Sequence, residues 1–444
     1  MTNGDRIQPY KKNPWYWQYK GKPVLLLGGT VEDNVYQIPD VEEHLDLLAS
    51  RGGNYVRCTM SCRDGGDAWW FEKESGGSYD LNQPGADHWG RFERFLKLAE
   101  ERGIVAQFEM WDRFDFSRDF WEGNPYNPKN NINYTSEESK LLEVIDQHPG
   151  RKQNNFFRSP PSMEDNPLVL KYQQMQVDKM LSISLNYGNV LYCMDNETNE
   201  SPEWGAYWSH YIKQKAAEAG ALVMTTEMWD ARDLLDDTHL ATLDHPETYD
   251  FVDISQNNHQ RADLHWSNPQ KVRDYITESG KIRPMNSVKI YGSNSGRYGS
   301  TRDAQERFWR NVVGGLATTR FHRPPAGMGL SKIAQVHVQS ARMVTNEIDI
   351  FSCEPHRDLI SNYSWNEAYC SARAGVDYFV FFPDGGDIEL NVSAAEGKSL
   401  AIRWMDIRCS AWVFDYREVT ADGGSLRITT PTEEGYWAAI VKAH

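Results

Sequence analysis

Long apolar runs are missing from this chain of 444 residues. No stretch approaches the 18 or so consecutive apolar residues that a membrane-crossing helix needs. The start, Met1-Thr-Asn-Gly-Asp5, has no hydrophobic signal core. No membrane partner is expected, and the compartment is periplasmic or extracellular if a signal has been trimmed, otherwise cytoplasmic. Positive charge is also scarce: 47 Lys and Arg stand against 63 Asp and Glu, a formal net charge of -16. That balance excludes a general affinity for nucleic acid or an anionic membrane, both of which need a basic footprint. Cysteine is thin, with six residues scattered through the chain and only Cys58 and Cys62 close together. Without a second pair or nearby His ligands they make no zinc set, so buried free thiols are expected and neither metal nor cofactor is called for. A Gly-x-Gly-x-x-Gly turn after the first strand and a Gly-x-Ser-x-Gly elbow are both absent, which removes the dinucleotide fold and the serine hydrolase. The oligomeric state stays open.

What is present is a large potential core, with 40% hydrophobic residues and 16 Trp. A chain of this size is expected to form two domains. Alternating aromatics around a Gly turn at 13–23 read as a small hairpin cap. From Val24 onward, apolar strand-like runs alternate with helix-period segments. Strands are expected at 24–30, 54–59, 103–109, 189–195, 221–227, 249–255, 282–288 and 317–321. Helices are expected at 41–50, 89–102, 167–185, 203–219, 269–279, 302–313 and 332–351. Eight such units over about 330 residues fit a (β/α)8 TIM barrel, residues 1–355, better than an open sheet. Beyond about residue 355 the pattern changes to short strands between Gly and Asp turns, which reads as a small antiparallel β-sandwich over 356–444. It is expected to pack on the barrel as an appendage.

In such a barrel, chemistry sits where the strands end. The polar residues there are Asp33 and Asn34, Arg57, Glu109 with Trp111 and Asp112, Asn196 and Glu197, Glu227, Gln256 and Asn257, Lys289, then His322 and Arg323. Carboxylates, amides and aromatic faces in one cleft suit a sugar ring, whose hydroxyls need polar partners and whose C–H faces stack on rings. A carbohydrate is therefore the expected partner. Lys289, Arg320, His322 and Arg323 form a cationic group on the last strands of an acidic protein, which points to an anionic sugar, a uronate or a sulfated one, unless these bases only neutralise the barrel's own carboxylates. The insertions at 62–88, 113–163 and 291–302 fall on the same face and would wall the cleft.

Asn196-Glu197 closing the fourth strand, with Arg57 closing the second, resembles the clan A (β/α)8 glycoside hydrolases, in which such an Asn-Glu pair carries the acid/base. More narrowly, Leu27-Gly-Gly-Thr, Tyr79-Asp-Leu-Asn82, Glu109-Met-Trp-Asp-Arg-Phe-Asp115 and Arg320-Phe-His-Arg-Pro-Pro325 resemble the apiosidase-like bacterial proteins. In those a collagen-binding-type β-sandwich follows the barrel, matching 376–443 here. The resemblance implies a glycosidase acting on a plant or algal polysaccharide or oligosaccharide, with Glu197 as general acid/base and Asn196 on the sugar 2-hydroxyl. A carboxyl in a cleft walled by aromatics should have a raised pKa.

The chain departs from that clan at the seventh strand, where the nucleophilic Glu is expected. Met285-Asn-Ser-Val-Lys289-Ile-Tyr-Gly292 contains no carboxylate, and an ammonium cannot trap a glycosyl cation as an ester does. Three explanations stay open. Glu227 or Glu109 supplies the second carboxylate, the strand end lies elsewhere, or the barrel binds sugar without hydrolysing it. Glu227 and Glu109 could equally hold loops through a neighbouring Arg, and Trp111 could be a core ring.

Overall fold

The computed structural model describes residues 2–444. Eight parallel strands form its centre: β1 (Leu26–Gly29), β2 (Tyr55–Thr59), β3 (Val105–Trp111), β4 (Val190–Asp195), β5 (Thr225–Thr226), β6 (Val252–Asp253), β7 (Met285–Ile290) and β8 (Thr318–Phe321). They pair in the order β5-β4-β3-β2-β1-β8-β7-β6. The ring closes between β5 and β6, where the Asp250 N–H donates to the Thr225 carbonyl at 2.8 Å and the Thr226 hydroxyl to the Phe251 carbonyl at 2.7 Å. Eight helices follow the strands: α1 (Val41–Ser50), α2 (Ala86–Glu101), α3 (Pro167–Ser184), α4 (Pro202–Glu218), α5 (Asp237–Leu243), α6 (Ala262–Glu278), α7 (Thr301–Val313) and α8 (Lys332–Glu347). This is a TIM barrel, as the alternation of patterns predicts.

Two elements differ from the sequence reading. Strands five and six keep only two paired residues each, although longer apolar runs predicted more. Helix α6 starts at Ala262 rather than at Pro269, because Pro269 sits inside it instead of opening it. Proline there leaves the His265 carbonyl without its helical donor. The Asn257 side-chain amide supplies one at 2.9 Å.

The barrel interior is filled by Leu26, Tyr55, Val105, Leu191, Cys193 and Val288 with their neighbours. Trp17 of the N-terminal hairpin plugs its lower end, edge-on to Phe251 and donating from Nε1 to Asn286 Oδ1 at 3.1 Å. Above β3, the 113–163 insertion is ordered without much regular structure. Asn124, Asn127 and Asn131 satisfy its backbone carbonyls, and Phe116 stacks on Phe156 at 4.0 Å.

Residues 354–443 form two antiparallel sheets packed face to face, as the short-strand pattern predicts. Strand Asp377–Phe382 is buried on both sides. Tyr378, Val380 and Phe382 enter the sandwich core, while Phe379 and Phe381 pack against the barrel. Trp309 of α7 stacks on Phe381 at 5.6 Å, fixing the appendage to the barrel wall. All six cysteines are free thiols.

Candidate active site

Arg57, fully buried in the middle of β2, organises the neighbouring strand ends. Its guanidinium grips Glu109 with both Nε (2.6 Å to Oε1) and Nη2, donates to Asp33 at 2.5 Å, and reaches Asn196 Oδ1 at 2.9 Å. A bidentate Arg–carboxylate fork of this kind fixes geometry as well as charge. Glu109 therefore spends both oxygens on Arg57 and is fully buried, so it offers no oxygen to a substrate. Asp33 is taken as well: Arg323 donates to it at 2.7 Å, His322 Nδ1 lies at 3.6 Å and Arg320 at 3.9 Å. Burial alone would raise the Asp33 pKa, but these bases and Arg57 hold it well below the usual carboxylate range. The cationic group on the last strands is thus turned toward the protein's own acids. Arg320 is completely buried and bonds the Val288 carbonyl and the Thr30 hydroxyl.

Asn196 sits between these groups and the cleft. Its Oδ1 accepts from Arg57 and from Lys289, and its Nδ2 donates to Asp112 at 3.0 Å, leaving one amide hydrogen for another partner. Asp112 in turn pairs with Arg63. Asn196 is held rather than free.

Glu197 follows at once with φ +50, in the left-handed region that a side chain with a Cβ adopts at a cost of roughly 1–3 kcal/mol. The turn carries its carboxylate off the end of β4. There Lys289 Nζ lies 2.9 Å from Oε1 and the Tyr291 hydroxyl donates to the same oxygen at 3.1 Å. The expectation of a raised pKa is overturned. Burial does push it up, but the Lys289 charge and hydrogen bond, with Arg113 and His322 behind them, hold Glu197 well below its ordinary 4.5. Glu197 rests as a carboxylate.

Glu227 is not in the cleft. Met224 and Met228 face the barrel interior, so Glu227 between them turns outward against α4. Its Oε1 accepts the Asp195 and Met228 N–H groups at 2.9 Å each. Its Oε2 lies so close to Gly205 that a Cβ there would be 2.2 Å away, which is why α4 carries a glycine at that turn. Burial first, and then the charge of Asp195, push the Glu227 pKa well up.

Trp111 is also a structural side chain, 1% exposed and edge-on to Phe156 at 5.4 Å, with Trp208 at 5.2 Å; it bonds the insertion to α4 and is no sugar platform. Asn257 serves the carbonyl freed by Pro269 and does not face the cleft. Gln256 does face it, with a buried Nε2 that has no partner among the described residues.

The cleft itself is a cavity of about 210 Å³ among the loops after β3 to β7, lined by Glu197, Asp230, Gln256 and Tyr291 together with Arg113, Phe114 and further basic side chains. A larger depression of about 670 Å³ in the C-terminal sheets is lined by small, charged and aliphatic residues without an aromatic ring, and lies away from the strand ends. Sequence reasoning missed Asp230, the second carboxylate on the cavity wall, held at 2.7 Å by Arg113. The signal was available: Glu227-Met-Trp-Asp230 repeats Glu109-Met-Trp-Asp112. Tyr291, two residues past Lys289, was missed as well.

No protein-family model and no curated protein matches this chain. Solved structures do. A glycoside hydrolase family 5 protein from Bacteroides vulgatus superposes with TM-score 0.66 at 12% identity over 100% of this chain and 94% of its own. A second glycoside hydrolase gives 0.67 at 11% over 100% and 98%. A family 5 mannosidase from Rhizomucor miehei, in complex with mannosyl-fructose, gives 0.51 at 11% over 79% and 99%. The chain therefore has the fold of family 5 glycoside hydrolases, a TIM barrel, and the first two matches extend over its C-terminal sheets.

Proposed function

We propose that this protein is a glycoside hydrolase whose reacting carboxylate is Glu197. The observation that carries the reading is the strained, partly buried, ionised Glu197 at the end of β4, facing a cavity whose only other carboxylate among the described residues is Asp230. In two-carboxylate hydrolysis one ionised group takes a proton from the attacking water while the other protonates the leaving oxygen. Glu197, kept ionised by Lys289, suits the first role, and Asp230 on the facing loop takes the second in its protonated form, with its Arg113 pair opened. Lys289 stands on β7, where the clan resemblance expects a nucleophile, so no glycosyl ester is assigned there. The substrate is a plant or algal polysaccharide or oligosaccharide, and the apiosidase-like resemblance of the barrel and sandwich motifs supports that finer placement. Within it, an anionic sugar is the reading favoured by the basic lining of the cavity.

Purified protein offered a panel of such polysaccharides should release sugar, and Glu197→Gln should reduce release by about a hundredfold or more. Lys289→Met removes the charge that keeps Glu197 ionised, so the acidic limb of the pH–rate profile should move upward. An unmoved limb would mean that another group carries the proton.

A second reading rests on the same ion pair. A Lys289 ammonium closed on Glu197 also describes a barrel that binds sugar without cleaving it. Saturable binding with no release by the unmutated protein would establish that alternative.

A further inference from the structure

The cavity holds more positive charge than its own carboxylates use. Glu197 is matched by Lys289 and Asp230 by Arg113. Two guanidiniums on the same wall, Arg232 and Arg297, form no ion pair among the described residues. This surplus stands in a chain of net charge -16, against the global sign.

Both are exposed residues on the lining of the cavity that holds the reacting carboxylate. Arg232 follows Asp230 by two residues on the loop after β5. Arg297 comes from the loop after β7, in the short turn Gly296–Tyr298, between glycines that take positive φ (Gly296 +50, Gly299 +88). Its guanidinium lies over the Tyr298 ring at 5.2 Å. Tyr298 in turn meets Tyr291 at 5.1 Å, and Tyr291 bonds Glu197. A contact chain thus runs from Arg297 to the carboxylate. His259, also on the cavity wall, is pushed down to about 4, first by burial and then by the Arg232 charge, with Glu197 opposing and Arg307 and Arg297 adding. The ring is neutral near pH 7, so the free charge is that of the two arginines.

We propose that Arg232 and Arg297 form an anion-recognition pair that receives the carboxylate or sulfate of an acidic sugar bound at Glu197. Planar forks of this type bond both groups through paired, charge-assisted N–H donors. The proposal rests on the cavity being a sugar site and not on its being hydrolytic.

Titration calorimetry on the Glu197→Gln, Lys289→Met protein, which removes this ion pair whole and frees no ammonium, separates these. The probes are an oligogalacturonate with its carboxyl-reduced neutral counterpart, and a sulfated galactan oligosaccharide with its desulfated form. The acidic member of at least one pair should bind about tenfold or more tightly than its neutral partner, with the margin shrinking as salt rises. Which pair shows it identifies carboxylate or sulfate. Arg232→Gln and Arg297→Gln, each checked for an unchanged melting temperature, should erase most of that margin while leaving the neutral affinity alone. Equal affinity for both members, or a margin that survives in the double arginine variant, overturns the pair. Binding of neither member overturns it together with the carbohydrate reading. A persisting acidic preference in a protein that never releases sugar sinks only the hydrolase.

Discussion

Glu-Met-Trp-Asp occurs twice, at 109–112 and 227–230, each time where a barrel strand ends, and the two copies do opposite things. In the first, β3 stays paired through Trp111, so Glu109 points inward to Arg57 and Asp112 braces Asn196. In the second, β5 breaks its ladder after Thr226 and rejoins its neighbour only through a single bridge from Trp229 to Thr198. Glu227 turns outward against α4, Trp229 donates to Thr242 of α5 at 2.8 Å, and Asp230 reaches the cavity. The first copy is scaffold under the site and the second puts a carboxylate into it. Identical residues at a strand end say little about which face they serve, because one residue of register exchanges inside for outside.

The largest break in this comparison comes from the two glutamates. Glu109→Gln leaves the buried Arg57 with a weakened fork, and losing one partner of a buried pair costs about 3–5 kcal/mol. Near pH 4, Glu227→Gln replaces a carboxyl that burial keeps protonated with a group of the same shape, for a change within about 1 kcal/mol. Chemical denaturation of both variants checks the contrast. Similar losses would mean that the two copies share one structural duty.

The aspartates should divide the other way. Asp230→Asn should lower turnover about a hundredfold, the scale of one proton transfer; its carboxylate is half-exposed and the buried Arg113 keeps its bond to Asn199, so the stability loss should stay below that of Glu109→Gln. Asp112→Asn should weaken the Asn196 brace and the Arg63 pair, and appear first in the denaturation midpoint. Equal kinetic effects without a stability difference would remove Asp230 from its assigned role.

The barrel was legible because hydrophobic period survives without knowledge of contacts: eight alternations predict eight strands, and the short-strand tail predicts the sandwich. Glu197 and Asn196 were legible as the polar end of a buried run, and the Lys289 substitution was visible at the seventh strand. Direction was not legible. Glu227, Trp111 and Asn257 stand at strand ends yet face helices, for reasons held elsewhere in the chain: Gly205 makes room for Glu227, the 113–163 aromatics enclose Trp111, and Pro269 frees a carbonyl for Asn257. The sign of the Glu197 shift also needed distance. Burial and Lys289 act oppositely, and the 2.9 Å contact decides between them.

The last contrast lies in the pH dependence of stability that Glu227 confers. Burial, reinforced by Asp195, raises the folded-state pKa of this carboxyl well above its ordinary 4.5. Between the unfolded and folded values the native protein holds a proton that the unfolded chain has released. Stability therefore falls as pH rises from about 4.5, by up to about 1.4 kcal/mol per pH unit for one proton. Glu227→Gln has no proton to lose, so denaturation midpoints of the variant should gain on the unmutated protein from pH 5 toward pH 8 and coincide with it near pH 4. Parallel curves would mean that Glu227 is ionised against α4, and the outward-facing copy would then need a cation that no neighbouring side chain supplies among the described residues.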